Sequence, residues 1–259
     1  MNNQDLKTIL PFKMIIESDM EKMRHDTFYD KEPETINWIK HFPDNNVFMD
    51  IGANVGIYSL YNAKLHPESF TVACEPSLGN YLHLASNIAM NGFMNVMSVN
   101  VAFSNQNAFL PLYLPNIAVG SSGGQLNAPQ DSKGKQFNIM GAQDTMAFQL
   151  RTFLDMFTHL GKLIKPTHIK IDVDGHEGQI LDGMADYPEL QSMLIEFNSK
   201  ESEKHYLDIL SSWGFTTDND FNKFTPHSTT RRQAEGDNES VNIIFTRKQH
   251  EQEDKDATT

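Results

Sequence analysis

Three groups of residues combine types and spacings that can do chemistry. The first is Asp50-Ile-Gly-Ala-Asn-Val-Gly56, an acid closing a short apolar run and followed by a turn containing Gly52, Asn54 and Gly56. A turn of this kind between a strand and a helix lets a ligand approach the backbone and meet helix N-terminal N–H groups. The spacing is not the dinucleotide fingerprint, whose second and third glycines would fall at Asn54 and Ile57, and no G-x-x-x-x-G-K-[ST] element is present. An acid directly ahead of the turn suits a ligand with a positive centre and an amine better than it suits a pyrophosphate. The second group is Glu75, which ends the next apolar run, with Asn100-Val-Ala102 ending the third. A carboxylate at the Glu75 position can accept both hydroxyls of a ribose lying over the first strand. Asn100 and Ala102 are expected against the adenine. The three features together point to a nucleoside with a positively charged amino-acid arm, S-adenosylmethionine.

The third group is Lys170-Ile-Asp-Val-Asp-Gly-His-Glu177, with three acids, a lysine and a histidine in eight residues. Side chains on a strand repeat every second residue, so Lys170, Asp172 and Asp174 are expected on one side. Three charges on a buried strand place that segment at the strand's carboxyl end, where open α/β sheets bind ligands. Transfer of a methyl group from a sulfonium is an in-line displacement that requires the acceptor to be held in line. A hydroxyl acceptor also gains from a general base. His176 is the expected base, because an imidazole titrates near neutrality. Asp172 and Asp174 are expected to hold cofactor or substrate. Plainer roles stand beside these: Glu177 as an electrostatic partner of a helix N-terminus, His176 as a structural residue, Lys170 as half of an ion pair. Asp172, Asp174, His176 and Glu196 also offer donors suited to Mg²⁺, but the chemistry does not require a metal and none is assigned.

These groups need a framework. Short apolar runs at Val47–Ile51, Phe70–Cys74, Asn95–Val101, His168–Val173, Met193–Phe197 and Val241–Thr246 read as buried strands. Helices are expected at Pro33–Phe42, Ile57–Leu65, Ser77–Asn91 and around Tyr206–Trp213. In the third of these Leu78, Leu82, Ala85 and Ala89 fall on one face. Phe109–Leu114 reads as an edge strand because it contains Pro111. The β-α-β-α-β order implies a mostly parallel, doubly wound sheet with helices on both faces. Residues 1–45 read as a helical lead-in, 46–247 as the catalytic domain, 120–144 as a polar loop or lid inserted in it, and 248–259 as a disordered tail. Arg231-Arg232 falls in a polar loop and could meet a phosphate.

Composition narrows the function classes. The chain has 259 residues, 21 lysines and arginines against 34 acids, and a formal net charge of −13. That balance argues against a broad basic nucleic-acid surface. With Cys74 as the single cysteine, neither an intrachain disulfide nor a cysteine zinc site can form. No run approaches the roughly 20 apolar residues of a membrane span, and the start lacks a signal-peptide pattern. A soluble, cytoplasmic protein is expected, with a small-molecule or glycan substrate and no nucleic-acid partner. Monomer and homo-oligomer are both left open.

The motifs together resemble the FkbM-type family of S-adenosylmethionine-dependent methyltransferases, which reads D-x-G-A-N-x-G, then E-P, then K-I-D-V-E-G-x-E. Asp50–Gly56, Glu75-Pro76 and Lys170–Glu177 carry the resemblance, with Tyr29–Pro33 similar to an upstream Y-x-P element and Asn242–Phe245 to a closing strand. It runs from about residue 28 to 247. It implies a Rossmann-like class I methyltransferase fold with a seven-stranded sheet, and O-methylation of a carbohydrate or natural-product hydroxyl. One departure is Asp174, where the family mostly has Glu. Two other functions are weighed: a methyltransferase-like binding protein without catalysis, and a nicotinamide-dependent oxidoreductase, which the glycine spacing disfavours.

Overall fold

The computed structural model describes residues 10–159, 164–197, 200–222 and 240–247. Its elements are α1 (Asp19–Asp26), α2 (Phe28–Lys31), α3 (Pro33–Lys40), β1 (Val47–Ile51), α4 (Ile57–Leu65), β2 (Phe70–Cys74), α5 (Leu78–Asn91), β3 (Val96–Val99), β4 (Ala102–Phe103), β5 (Ala108–Leu114), β6 (Gln125–Leu126), β7 (Gly141–Phe148), α6 (Leu150–His159), β8 (His168–Ile171), α7 (Glu177–Asp182), β9 (Ser192–Phe197), α8 (Lys200–Ser212), β10 (Phe215–Thr217), α9 (Asn219–Asn222) and β11 (Val241–Arg247).

Seven strands form one sheet in the order β10-β11-β9-β8-β1-β2-β3. The β9-β8-β1-β2-β3 pairs are parallel, and β11 runs antiparallel to both of its neighbours. The strands are apolar almost throughout because helices cover both faces. Met49, Ile51, Ile169, Ile171 and Ile195 pack on one face with Leu150, Phe153 and Ile180 of α6 and α7. Phe48, Leu194 and Ile244 pack on the other with Trp38, Leu60 and Leu84 of α3, α4 and α5. The Rossmann-like doubly wound architecture expected from the motifs is therefore present. Among the described residues no helix is long and apolar enough to cross a membrane.

A second, four-stranded sheet in the order β4-β7-β5-β6 sits over the carboxyl ends of the first strands. The segment read as a loop or lid contributes strand residues to it at Gln125–Leu126 and from Gly141 onward. β5 is not an edge strand, since it pairs with β7 and, at Leu112 and Tyr113, with β6. Pro111 is tolerated there because its carbonyl faces the β6 side, where it accepts from Asn127 N. Its missing N–H thus takes nothing from the β7 ladder.

Two further expectations are corrected. The buried face of α5 is Asn80, Leu84, Asn87 and Ile88, whereas Leu78 and Leu82 are half exposed. The asparagines win the inner face because loop backbone there needs partners: Asn87 serves Ile15 N and Val55 O, and Asn80 serves Gly120 N and Ser121 O. Helix α6 and strand β10 had no counterpart among the expected elements, and three-residue β10 is the seventh strand of the sheet. Among its described residues the lead-in is helical from Asp19, with residues 10–18 outside any helix or strand. Arg231-Arg232 and the 248–259 tail lie outside the described residues.

Candidate active site

The glycine turn is built by sterics. Gly52 and Gly56 have φ of 84° and 93°, and Asn54 has 53°, a left-handed region that glycine enters freely and asparagine more readily than most residues. Space is equally decisive. A Cβ on Gly52 would stand 2.0 Å from the Asp172 carbonyl oxygen, and one on Gly56 2.4 Å from Leu84 Cδ1. The turn is tied to the next strand, with Gly52 N and Ala53 N both donating to Cys74 O at 3.0 Å.

Glu75 lies beneath this turn and lines a cleft with Gly52, Asn54, Asp172 and Asp174. Its Oε2 accepts from Asn54 N and its Oε1 from Ser77 N, both at 2.8 Å. Burial pushes its carboxyl up to about 7 against the pull of those amides. Each carboxylate oxygen has two acceptor sites, so both oxygens keep capacity for a pair of ribose hydroxyls. Asn100 does not line the cleft. Its amide donates to the carbonyls of Glu75 and Pro76 at 2.8 and 2.9 Å, and Gln143 Nε2 reaches Pro76 O from β7. Asn100 thus fixes the turn that carries Glu75. Ala102 lines an adjoining apolar pocket with Ile51, Val101, Phe103 and Leu126.

Asp50 sits behind the turn, 1% exposed. Its Oδ2 accepts from Ser59 Oγ at 2.6 Å, while Oδ1 is buried without a hydrogen-bond partner among the described residues. Burial raises its pKa more than Lys170 and Ser59 lower it. An orphaned carboxylate oxygen next to a glycine cradle is a fitting partner for a cationic amino-acid arm.

The second constellation divides. Lys170 and Asp172 do share a side: Lys170 Nζ donates to Asp172 Oδ2 at 2.6 Å and lies over the Tyr58 ring, 5.2 Å from its centroid. Burial alone would raise Asp172, but Lys170 holds its carboxyl below the usual range. Asp174 is not on that strand face. β8 ends at Ile171, and Asp174 has φ of 58°. Its carboxylate turns to accept from Gly123 N at 2.7 Å, and its carbonyl accepts from Gln125 Nε2. Aspartate is several-fold enriched in that backbone region, which gives a physical reason for the shorter acid at this place. Glu177 is a loop clamp, its Oε1 accepting from Val173 N and Gly175 N at 3.0 and 3.1 Å. Burial raises it to about 7.

His176 is the N-cap residue of α7, with no side-chain cap bond. It lines the apolar pocket beside Ala102 and is not among the residues lining the cleft with Asp172 and Asp174. Burial lowers its pKa. The cleft is also lined by Glu196 of β9, beside Asp172, and, from the amino-terminal helices, by Arg24, Lys31 and Glu32. Sequence reasoning missed Arg24, Glu32 and Asn80. The signal for Arg24 was Ser18-x-x-Glu21, a capping box that starts α1. Ser18 Oγ donates to Val119 O at 2.6 Å and Arg24 Nε to Gly120 O at 2.7 Å, which fastens that helix to the cleft wall. Among the described residues no group of three His, Cys, Asp or Glu is arranged to hold a metal.

A parallel sheet with a glycine turn after its first strand, an acid after its second and a charged loop after its fourth defines a nucleoside-using transferase site. A Methyltransferase FkbM domain matches residues 50–217, and the chain belongs to that family. It is an S-adenosylmethionine-dependent methyltransferase. It is similar to "Methyltransferase 1" of Beauveria bassiana, 22% identical over 78% of this chain and 82% of that protein. It is also similar to "Methyltransferase sdnD" of Sordaria araneosa, 26% identical over 56% of this chain and 63% of that protein. Among solved structures, a precorrin-6y C5,15-methyltransferase from Geobacter metallireducens aligns over 92% of this chain and 94% of its own, with a TM-score of 0.46 and 14% identity.

Proposed function

We propose that the protein transfers a methyl group to a hydroxyl oxygen of a carbohydrate or natural-product acceptor. The observation that carries this reading is the Lys170–Asp172 pair at the floor of the cleft. It presents one ionised carboxylate, held in place by a buried cation, next to the glycine turn. Asp50 and Glu75 would hold the amino-acid arm and the ribose, with Gly52, Asn54 and Gly56 shaping the turn against them. The apolar pocket of Val101, Ala102 and His176 is the natural place for the adenine. When bound, S-adenosylmethionine supplies an electrophilic methyl group on a sulfonium.

Asp172 Oδ2 is occupied by Lys170, which leaves Oδ1 to accept the hydrogen bond of an acceptor hydroxyl. That bond orients an oxygen lone pair toward the donor side and gives the proton somewhere to go. This reading moves the base from His176 to Asp172, because Asp172 lines the cleft and His176 lines the apolar pocket. Asp174 acts through Gly123, fixing the 121–124 segment that walls the cleft. The test is titration calorimetry followed by a methyl-transfer assay. Binding of S-adenosylmethionine and S-adenosylhomocysteine without NAD binding is expected, with Asp172→Asn lowering transfer by roughly 10²–10⁴ while cofactor binding survives. Full transfer by that variant would remove Asp172 from the chemistry.

A further inference from the structure

Glu196 has no role in the reading so far, yet its position is unusual. It follows Ile195, which is in register with Ile171 on the neighbouring parallel strand, so Glu196 stands beside Asp172. Adjacent strands are about 4.8 Å apart and in-register side chains share a face, so both carboxyls enter the same cleft. Glu196 Oε2 is buried with no hydrogen-bond partner among the described residues. Among the described residues none of its neighbouring donors bonds that oxygen. Asn242, opposite it on β11, donates to Glu34 Oε1 at 3.1 Å. Lys170 is on Asp172, Lys31 Nζ is on Glu32 Oε1 at 3.0 Å, and Arg24 Nε is on Gly120 O.

A buried polar atom without a partner calls for a cause. Burial, then the charge of Asp172, then Glu177 and Asp174, push the Glu196 carboxyl up to about 10. Two neighbouring carboxyl groups whose surroundings drive them apart in this way divide the labour of acceptor and donor. A protonated carboxyl carries an O–H that needs an oxygen to donate to.

We propose that Glu196 is a specificity-determining residue that donates its O–H to a second oxygen beside the methylated hydroxyl, so that the acceptor class is a vicinal diol or its equivalent. This rests on the O-methyltransferase reading above. In the transfer, the acceptor oxygen forms its bond to the methyl carbon as the carbon–sulfur bond breaks, and the hydroxyl proton passes to Asp172 Oδ1. Glu196 keeps its proton throughout. An acceptor with a single hydroxyl leaves the Glu196 donor unpaired, a loss that sites built for a hydrogen-bonding group penalise heavily.

The experiment uses the full chain with radiolabelled S-adenosylmethionine and two matched probe pairs, catechol with phenol and cis-cyclohexane-1,2-diol with cyclohexanol. The wild type is expected to favour each diol at least tenfold in kcat/KM. Glu196→Ala should abolish that preference, and Glu196→Gln should keep it through its amide N–H. Equal rates on diol and mono-ol overturn the assignment and leave O-methylation standing. Transfer to none of the four by cofactor-bound enzyme counts against the O-methyltransferase reading and the inference together. An arm independent of turnover is infrared difference spectroscopy of the S-adenosylhomocysteine complexes at neutral pH. A protonated-carboxyl band present in the wild type and lost in Glu196→Gln is expected, and its absence overturns the proposal whatever the acceptor.

Discussion

Glu75 on one half of the cleft and Asp172 and Glu196 on the other are held in opposite ways. On the cofactor half, Glu75 is satisfied by Asn54 N and Ser77 N, backbone donors that any residue supplies. On the acceptor half, Asp172 depends on one buried lysine side chain, and Glu196 Oε2 has no partner among the described residues. Backbone bonds at a glycine turn are rigid and insensitive to sequence, which suits a cofactor that never changes. Side-chain bonds assembled from separate strands are adjustable, which suits a substrate that does. The walls follow the same division. The glycine turn and Glu75 come from the contiguous β1-α4-β2 stretch, whereas the wall around Asp172 gathers α1, α2, the second sheet, β8 and β9.

The largest expected effect that would break this contrast is on Asp172. Asp172→Asn should lower turnover by roughly 10²–10⁴, with cofactor affinity within about threefold by calorimetry. A large loss of cofactor affinity would show that the two halves are one.

Next is the pH dependence that raised carboxyls impose on stability. Glu34 is fully buried, its Oε2 unpartnered among the described residues, and burial raises it from 4.5 to about 7. The folded state therefore binds more protons than the unfolded one across that interval. The stability Glu34 contributes is fully present below 4.5 and is lost as pH rises through about 7. Glu34→Gln should shrink the loss of stability between pH 5 and pH 8 by up to about 3 kcal/mol. Parallel urea titrations at the two pH values measure it, and an unchanged difference would reject the assignment.

On the cofactor half, Glu75→Ala removes the proposed ribose acceptor and the partner of the Asn54 and Ser77 amides. Cofactor affinity should fall roughly 10- to 100-fold, since a hydrogen bond to a charged group contributes about 1.5–3 kcal/mol. Calorimetry on a variant with unaltered far-ultraviolet circular dichroism checks it. The smallest expected effect separates the apolar pocket from the acceptor site. His176→Ala should change turnover by less than about threefold and shift cofactor affinity instead. A loss of turnover of roughly a hundredfold or more, at unchanged cofactor affinity, would restore His176 as the base.

The cofactor half was legible in the sequence because its signals are local. A glycine that needs positive φ, an acid two residues ahead of it and an acid at the next strand end are separated by few residues, and the strand period places them on one rim. Asn100 was legible as a position, but its part in holding the turn was not, because its Nδ2 donates to the Glu75 and Pro76 carbonyls. The apolar face of α5 failed for the same reason: buried asparagines serving loop backbone are invisible to a hydrophobicity pattern.

By itself the sequence determined the mostly parallel α/β architecture, the turn and the acids that stand beside it, since strand period, glycine stereochemistry and helix stops act over a few residues. Only the tertiary structure decided which acids are partnered. It turned Asp174 off the strand and onto Gly123, put His176 in the apolar pocket, gave Lys170 to Asp172, and left Glu196 Oε2 beside them without a partner among the described residues. Those outcomes depend on burial and on partners 51 residues away for Gly123 and Asp174 and more than 100 for Ser18 and Val119. Electrostatics in a buried cleft is a property of the assembled neighbourhood, and no local pattern encodes it.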